Sequence, residues 1–371
     1  MCECCSFATL PLREYTEIMQ ADTNTRASTA AMRVGLLGGG SFGTVLAHLL
    51  AENNCQVRWW MHNKTRAETI NYAHCNPDYL SHVRIPEQVI AGTDIAWALE
   101  HPGLIILAIP SQVIGEVLAA VQPHLKPEHY LIATAKGIPG PGFTLLHQRI
   151  EQTLYQLDRP QHEYALLSGP NIASEIAAQK IAASVIATHD RNVYNLCQQR
   201  LQRPYFRLFH NPDVFGVEIG GALKNIYAIA AGLADAYGMG WNTKSALIVR
   251  AASEITAFAV QLGANPLTFL GMAGVGDLVV TCSSSQSRNY QAGYQLGKGI
   301  APQQLQKHVK GVIEGIHTLK LVHVKAQELG VRMPIMQGMH AILFSRKNYL
   351  RTMRELMETM QGADISFITV G

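Results

Sequence analysis

The stretch MRVGLLGGGSFGTVLAHLLAEN, residues 32–53, decides the fold. It reads as a strand, a glycine-rich turn and a helix, and Gly38, Gly40 and Gly43 fill the pattern G-x-G-x-x-G. In that pattern the first glycine permits a tight turn, the second lets backbone approach a pyrophosphate, and the third lets the helix pack on the strand. The free N–H groups that open the helix would face the phosphates. A second strand, CQVRWW, follows, so the segment predicts a dinucleotide site, with a purely structural glycine turn as the alternative.

Short apolar runs alternate with helical segments from Met32 onward. Apolar strands separated by helices are typical of a parallel sheet covered on both faces. The predicted strands are Arg33–Leu37, Gln56–Trp60, Leu104–Ile109, Tyr130–Thr134, Ala165–Leu167, Ile181–Ala187 and Tyr205–Phe209. After about Phe215 the strand signals stop, and helices rich in Ala, Leu, Ile and Met follow, with breaks at Gly263–Pro266 and near Gly299–Pro302.

The predicted fold class is therefore α/β, with a Rossmann-like N-terminal domain built on a mainly parallel sheet and an all-α C-terminal domain. We expect the domain boundary near residues 211–216. The expected segments are a flexible extension (1–31), a dinucleotide-binding domain (32–215), a helical substrate and catalytic domain (216–360) and a tail (361–371). A true start at Met32 is the alternative to a native extension.

Composition narrows the class of protein. The 371 residues are 48% hydrophobic and 15% charged, which fits a globular protein with a sizeable core. A net charge of +3 and a pI near 8.4 are too weakly basic to indicate nucleic-acid binding. No uninterrupted apolar run predicts a membrane span, and the N-terminus lacks the order of a secretory signal.

The seven cysteines favour a reducing compartment, so we expect a cytoplasmic protein. Their odd number and scattered spacing argue against a disulfide framework. The CECC run at residues 2–5 has no second Cys/His pair nearby, which favours exposed thiols on a loose tail over a metal site. We expect no metal.

The end of the second predicted strand lacks the acidic residue that usually binds the ribose of NAD. The segment reads RWWMHNKTRAE, and it offers His62, Asn63, Lys64 and Arg66 before its first acid, Glu68. Several of these groups could donate to a 2′-phosphate, so we expect NADP(H) to be accepted at least as well as NAD(H). A solvated basic loop is the alternative.

A single charge interrupts the apolar stretch IGGALKNIYAIAAGLA, residues 219–234. That charge is Lys224. Lysine rarely lies deep in such a segment without a partner or a function. The alternative is a lysine whose head emerges at a helix surface, although such lysines usually have polar neighbours on the same face.

Four further segments combine polar side chains with small residues that let a ligand approach the backbone. They contain Lys136 (ATAKGIPG), Gly169 and Asn171 (LSGPNIASEIA), Asp277, Thr281, Ser287, Arg288 and Asn289 (GMAGVGDLVVTCSSSQSRNYQAG), and Glu314 (GVIEGIHT). Taken singly, each has a structural alternative: a loop lysine, a helix-capping aspartate or a solvated arginine.

Together these segments resemble NAD(P)-dependent glycerol-3-phosphate dehydrogenase of the bacterial type. The resemblance rests on GGGSFGT, ATAKGI, SGPNIASEIA, VEIGGALKNIYAIAAG, AGVGDLVVTCSSSQSRN and GVIEGIHT, in the family's order, and extends from Met32 to about residue 345. The sequence departs from the family pattern at Phe42, where Trp is frequent, at Asn171, where Ser is common, and at Tyr290–Gln291, which replaces a basic pair.

The resemblance implies reversible hydride transfer between NADP(H) or NAD(H) and dihydroxyacetone phosphate, giving sn-glycerol 3-phosphate for glycerophospholipid synthesis. It implies Lys224 as the catalytic acid/base and allows a homodimer. The implied cofactor contacts beyond the glycine turn are Ser41, Phe42, His62, Lys136, Ala173, Arg288, Val312 and Glu314. The implied substrate contacts are Lys136, Gly169, Asn171, Lys224, Asp277, Ser287, Arg288 and Asn289.

On this interpretation Lys224 donates a proton to the carbonyl oxygen in reduction and removes the hydroxyl proton in oxidation. A free lysine titrates at about 10.4, so apolar surroundings and a second cation such as Lys136 are expected to lower the pKa. Asp277 and Thr281, one helical turn apart, are expected to orient Lys224. The planar fork of Arg288 suits a phosphate.

Two rival functions stay open at this point. One is a β-hydroxyacid or ketopantoate reductase of similar architecture, which would need a carboxylate clamp instead of SRN. The other is a non-catalytic nucleotide-binding protein, although the catalytic lysine and acid are both present.

Overall fold

The computed structural model describes residues 32–101, 103–140, 142–158, 163–345 and 347–352. The predicted extension over 1–31 and the predicted tail over 361–371 lie outside these residues, as does the CECC run.

Eight strands form one sheet in the order β3-β2-β1-β4-β5-β6-β7-β8. All neighbouring pairs are parallel except β6 and β7, which are antiparallel. The strands are β1 Arg33–Leu37, β2 Gln56–Trp60, β3 Val89–Gly92, β4 Gly103–Leu107, β5 His129–Ala133, β6 Tyr164–Ser168, β7 Ala182–Ala187 and β8 Phe206–Asn211. The predicted α/β class with a mainly parallel sheet is confirmed.

Seven of these strands match predicted ones, and β1 and β2 have the predicted bounds. The sequence interpretation missed β3. Its four residues, VIAG, lie at one edge of the sheet, with Ile90 exposed to solvent. So short an edge strand gives neither the continuous apolar run nor the alternation on which a prediction depends.

Helices separate the strands in the first part of the chain. They are α1 Ser41–Glu52, α2 Lys64–Ala73, α3 Ile95–Ala98, α4 Ile114–Val121, α5 Leu146–Tyr155, α6 Ala173–Ala177 and α7 Arg191–Leu201. From Val214 onward the described elements are helical. The α-helices there are α8 Val214–Ala236, α9 Trp241–Gln261, α10 Asp277–Ser283, α11 Arg288–Gly297, α12 Leu305–His308, α13 Glu314–Glu328 and α14 Pro334–Ser345.

Helix α8 is the centre of the helical part, and residues Gly216 to Ala234 on it are buried. Its small residues allow very close packing against α11. A Cβ on Gly293 would lie 1.8 Å from the carbonyl oxygen of Ile229, and one on Gly232 would lie 1.9 Å from that of Tyr290. The two backbones are therefore in direct contact, which explains why the stretch around Lys224 is so rich in glycine and alanine.

Two buried glutamates hold the first turns of neighbouring helices. Glu218 of α8 accepts from the backbone N–H of Leu146 at the start of α5. Glu254 of α9 accepts from the N–H of Ile335 at 2.7 Å and from the hydroxyl of Tyr227 at 2.9 Å. Both carboxylates satisfy N–H groups that a helix start leaves without intrahelical partners.

Within the described residues, α8 is also the one helix long and apolar enough to cross a bilayer by length and composition. However, 94% of its most apolar window is buried inside the protein. A core helix of a globular protein meets the same criterion.

Candidate active site

The glycine turn between β1 and α1 forms a cradle that larger residues would fill. Gly38 has φ 121°, and a Cβ there would lie 2.1 Å from the carbonyl oxygen of Ala108. A Cβ on Gly43 would lie 2.0 Å from the carbonyl oxygen of Gly38, so this glycine lets α1 pack on the strand end. Gly40 faces open space and precedes α1 without a side-chain cap. These three environments match the turn, approach and packing roles of a dinucleotide fingerprint.

Asn76 anchors the turn, and the sequence interpretation did not identify it. Its side chain is fully buried and donates to the carbonyl oxygen of Gly39 at 3.1 Å and to the hydroxyl of Thr44 at 2.9 Å. Thr44 in turn donates to the carbonyl oxygen of Gly40 at 3.0 Å. Because Asn76 lies in a loop with no periodic pattern, no sequence signal could have indicated this contact.

The basic segment after β2 makes contacts that its sequence did not indicate. His62 is exposed, and Asn63 caps α2 by accepting from the N–H of Arg66 at 2.9 Å. Lys64 extends into solvent with an 80% exposed side chain. Arg66, however, donates through Nε to Oδ2 of Asp78 at 2.6 Å. The segment itself carries no acid before Glu68, as its sequence shows, but the loop after α2 places the carboxylate of Asp78 beside Arg66.

Lys224 is buried near the middle of α8, with a residue exposure of 5%. Its ammonium donates to Oδ1 of Asp277 and, at 2.8 Å, to the hydroxyl of Thr281. Thr281 donates in turn to the carbonyl oxygen of Asp277 at 2.6 Å. The shared helical face of Asp277 and Thr281 that the sequence predicted is present on α10. The alternative of a lysine head at a helix surface is wrong.

Asp277 joins two lysines. Its second oxygen, Oδ2, accepts from Nζ of Lys136 at 2.8 Å, and Lys136 also donates to the carbonyl oxygen of Gly169 at 2.6 Å. Lys136 follows β5 and Gly169 follows β6, while Asp277 begins α10. The carboxyl ends of two parallel strands therefore meet the helical part of the chain at this carboxylate.

The pKa values of Lys224 and Asp277 are both lowered, but for different reasons. Burial lowers the pKa of Lys224 to about 7, assisted by the nearby Lys136 and opposed by Asp277. Burial alone would raise the pKa of Asp277, but the ammonium groups of Lys136 and Lys224 outweigh it and hold that pKa below its usual value. A carboxylate thus lies between two lysines, one of which titrates near neutral pH.

Unpartnered polar atoms lie close to this cluster. Asn171 accepts from the hydroxyl of Ser184, while its Nδ2 is buried with no hydrogen-bond partner among the described residues. The hydroxyl of Ser168 is likewise buried and unpartnered in that part of the chain. A Cβ on Gly221 of α8 would lie 3.1 Å from it, close to the side chain of Lys136. Buried donors without partners are costly, and a polar ligand would satisfy them.

Arg288 is exposed at the start of α11. Its guanidinium lies against the loop before α13, where a Cβ on Gly311 would lie 2.8 Å from Nη1. It makes no hydrogen bond or ion pair with the described residues, so its fork is available to a ligand. Ser287 caps α11 by accepting from the N–H of Tyr290 at 3.3 Å.

Asn289 is buried and connects three helices. Its Oδ1 accepts from the N–H of Gly315 on α13, and its Nδ2 donates to Oδ1 of Asn225 on α8, both at 2.9 Å. Asn225 donates to the carbonyl oxygen of Lys136 at 2.8 Å. Asn225 was missed, although its position directly after Lys224 in an apolar run was a usable signal.

Glu314 opens α13 and reaches back to the loop after β4. Its carboxylate accepts from the hydroxyl and the N–H of Ser111 and from Nε2 of Gln112 at 2.7 Å. Burial raises the pKa of Glu314, and the hydrogen bonds from Ser111, followed by the charge of Arg288, partly offset this effect. Ser111 and Gln112 could not be predicted, because nothing in the sequence places a loop after β4 beside α13.

The remaining predicted cofactor contacts surround the glycine turn or the same loop. Ser41 and Phe42 open α1, and Phe42 packs partly buried against the core of the sheet domain. Ala173 begins α6, and Val312 lies in the loop that precedes Glu314. Across the described ranges, no group of three or more His, Cys, Asp and Glu side chains is placed to hold a metal ion.

Comparisons with known proteins agree with this arrangement. Residues 33–194 match the family described as NAD-dependent glycerol-3-phosphate dehydrogenase N-terminus, and residues 213–354 match its C-terminus. The chain is 45% identical to glycerol-3-phosphate dehydrogenase [NAD(P)+] of Pseudomonas syringae pv. tomato, over 92% of this chain and 98% of that protein. It is 46% identical to the same-named protein of Azotobacter vinelandii, with the same shares covered.

A solved structure agrees as well. The crystal structure of glycerol-3-phosphate dehydrogenase from Coxiella burnetii superposes with a TM-score of 0.83 at 32% identity, covering 88% of this chain and 99% of the other. The resemblance inferred from the motifs is confirmed. The chain belongs to the NAD-dependent glycerol-3-phosphate dehydrogenase family.

Proposed function

We propose that this protein catalyses the NAD(P)-dependent, reversible interconversion of dihydroxyacetone phosphate and sn-glycerol 3-phosphate. One observation carries the proposal: a buried lysine with a pKa near 7 lies in a cluster with Asp277 and Lys136, at the carboxyl ends of β5 and β6. In open α/β sheets this is the edge at which ligands bind. The names of the similar proteins supply the same substrate.

The glycine cradle fits a dinucleotide, since its first and third glycines admit no side chain and its second faces open space. When bound, the nicotinamide supplies or accepts the hydride. The residues proposed to surround the cofactor are Gly38, Gly40, Ser41, Phe42, Gly43, His62, Lys136, Ala173, Arg288, Val312 and Glu314. Glu314 is held by Ser111 and Gln112, which fixes its carboxylate before any ligand arrives.

Lys224 is proposed to move the proton. An ammonium has three N–H donors, and Lys224 gives one to Asp277 and one to Thr281, so one remains for the substrate. In reduction this N–H stabilises the negative charge that develops on the carbonyl oxygen and then transfers its proton to it. In oxidation, neutral Lys224 takes the proton of the hydroxyl group. A pKa near 7 populates both forms near neutral pH.

Lys136 is proposed to position the substrate and to keep the pKa of Lys224 low. It also retains one N–H after donating to Asp277 and to Gly169. Asn171 adds a buried amide N–H with no partner within the described ranges. Lys224, Lys136 and Asn171 thus each have an N–H available to the oxygens of a small polyol.

Arg288 is proposed to bind the phosphate group. Its exposed guanidinium has no ion-pair partner among the described residues, and an arginine fork matches phosphate oxygens in pairs. Ser287 and Asn289 flank it, but Asn289 is engaged at both ends of its amide, so we assign it to holding α8, α11 and α13 together.

A binding-only protein is less consistent with this site. Burial takes Lys224 out of water and the ammonium of Lys136 repels its charge; both effects lower its pKa because they destabilise the charged form. A nucleotide sensor would gain nothing from that arrangement, whereas an acid/base catalyst needs it.

The test is oxidation of NADPH and of NADH by the purified protein with dihydroxyacetone phosphate. The phosphorylated substrate should be turned over far faster than unphosphorylated dihydroxyacetone, and inorganic phosphate should compete. Turnover of a β-keto acid or ketopantoate, with none of dihydroxyacetone phosphate, would refute the proposal in favour of the related reductases.

We further propose that the product feeds glycerophospholipid synthesis, that the enzyme acts in the cytoplasm and that it forms a homodimer. The cysteines described, Cys55, Cys75, Cys197 and Cys282, all carry free thiols, which supports a reducing compartment. The proposed division is a sheet domain over 32–215 and a helical domain over 216–360.

A further inference from the structure

We propose that Asp78 is a specificity-determining residue for the dinucleotide and that it acts through Arg66 to weaken binding of a 2′-phosphate. The proposal rests on the NAD(P)-dependent function proposed above. It concerns which of the two dinucleotides the site favours.

The Arg66–Asp78 pair is well defined. Nε of Arg66 donates to Oδ2 of Asp78 at 2.6 Å, and Nη2 lies 2.5 Å from the same oxygen in an ion pair. The guanidinium also lies over the ring of Tyr79, 5.2 Å from its centroid. The arginine side chain is only 14% exposed, whereas that of Asp78 is 46% exposed. The arginine is therefore fixed in place while the carboxylate still faces solvent.

The pair lies against the glycine turn. Nη1 of Arg66 would be 3.5 Å from a Cβ placed on Gly39. Asn76, two residues before Asp78, is hydrogen-bonded to the carbonyl oxygen of Gly39 at 3.1 Å. The segment Asn76–Tyr79 is thus attached to the turn at one end and to Arg66 at the other. Arg66 follows β2, and the end of that strand is where a Rossmann fold distinguishes the ribose 2′-hydroxyl from a 2′-phosphate.

Two consequences for a 2′-phosphate follow from this geometry. Asp78 takes the Nε–H of Arg66 and lies against Nη2, so it occupies one edge of the guanidinium that could otherwise bind phosphate oxygens in a fork. Its negative charge also repels the dianion. NAD(H) carries no 2′-phosphate, so neither effect applies to it. Asp78 therefore disfavours a 2′-phosphate in the way that an acidic residue at the end of β2 would, although it lies in the loop after α2.

A second cation balances the carboxylate. Lys310, in the loop that leads to Glu314, is exposed, and its ammonium lies 5.7 Å from the centroid of the Tyr79 ring. Arg66 and Lys310 carry two positive charges and Asp78 one negative charge, so the net formal charge of the three side chains is +1. The two cations alone would create a preference for NADP(H), and Asp78 reduces that preference. The small net charge thus explains how one site can accept both dinucleotides.

The test measures dissociation constants of NADPH and NADH by isothermal titration calorimetry, without substrate, for the wild type, Asp78→Asn, Arg66→Gln and the double variant. Asp78→Asn should tighten NADPH binding about fivefold and leave NADH within about twofold, as expected for a partly exposed charge. The gain should shrink at higher salt. In the Arg66→Gln background, Asp78→Asn should tighten NADPH binding only about twofold, because direct repulsion of the phosphate by Asp78 remains while its effect on Arg66 is gone.

Glu68→Gln is the control, because it removes a carboxylate from α2, 65% exposed against 46% for Asp78, without touching Arg66. An unchanged NADPH-to-NADH ratio in Asp78→Asn, the same change in Glu68→Gln, or a full effect in the absence of Arg66 would each overturn the proposal. If Asp78→Asn has a lowered melting temperature, Asp78→Ser replaces it. Turnover of dihydroxyacetone phosphate, measured on the same samples, tests the proposed function separately.

Discussion

Lys224 and Asp277 form an ion pair in which both side chains are almost completely withdrawn from water, with 6% and 1% of their surfaces exposed. Removing one partner of such a pair is strongly destabilising, because the other charge stays buried. Here the second lysine, Lys136, keeps Asp277 ionised whatever the protonation state of Lys224. The carboxylate can therefore hold Lys224 in one orientation while that lysine gains and loses a proton.

The first prediction concerns pH. Because the pKa of Lys224 lies near 7, its protonated fraction falls as pH rises through that value. kcat for reduction of dihydroxyacetone phosphate should fall above about pH 7, and kcat for oxidation of glycerol 3-phosphate should rise over the same interval. The parameter to compare is kcat, since a phosphate monoester itself titrates at about pH 6 and affects capture of the free substrate.

A variant can assign that titration. Lys136→Met removes the neighbouring cation that lowers the pKa of Lys224, so both profiles should move to higher pH. A profile that moves to lower pH, or wild-type profiles without a break between about pH 6 and 9, would contradict the assignment.

The second prediction concerns Arg288. Arg288→Ala should lower kcat/KM for the phosphorylated substrate. The corresponding loss of transition-state stabilisation should be about 1.5–3 kcal/mol, the value of a charge-assisted hydrogen bond. Unphosphorylated dihydroxyacetone should be turned over no worse than by the wild type. Arg250→Ala, on α9, is a control for loss of a cation elsewhere in the helical part. If phosphorylated substrate is processed equally well, Arg288 is not at the phosphate.

The third prediction concerns the packing of α8 against α11. Gly293→Ala would place a methyl group 1.8 Å from the carbonyl oxygen of Ile229, so the helices must separate. Overpacking of this kind typically costs about 1–3 kcal/mol. We expect a lower melting temperature and reduced activity, because Asn289 on α11 is bonded to Asn225 beside Lys224. Gly240→Ala, which meets no atom within 4 Å, should leave the melting temperature nearly unchanged.

The fourth prediction concerns residues 1–31, whose sequence has no periodic apolar face. A chain beginning at Met32 should match the full chain in kcat and in melting temperature, since β1 starts at Arg33. A clear decrease in either quantity would indicate that the first 31 residues pack on the rest of the protein.

Much of the fold could be predicted because its signals are local. The glycine pattern fixes the turn between β1 and α1, and continuous apolar runs identify most strands. Lys224 was recognisable because a charge in an apolar helix has few structural explanations. The pairing of Lys224 with Asp277 and Thr281 followed from one helical turn of spacing in α10.

Other features depend on contacts between distant segments. Asp78 reaches Arg66, Asn76 reaches Gly39 and Ser111 reaches Glu314 through loops whose paths are set by the packed structure. No periodicity marks such loop residues, so their partners could not be predicted. The short edge strand β3 was not predicted because four residues are too few to show an apolar run or an alternation of apolar and polar residues.

We propose that Lys224 supplies the proton while the rest of the site binds the ligands. The most direct test measures kcat for dihydroxyacetone phosphate and the dissociation constant of NADPH for Lys224→Ala beside the wild type. We expect a kcat lowered by roughly a hundredfold to ten-thousandfold, with NADPH binding retained within a few-fold. A variant that folds and keeps more than about a tenth of the wild-type kcat would contradict it.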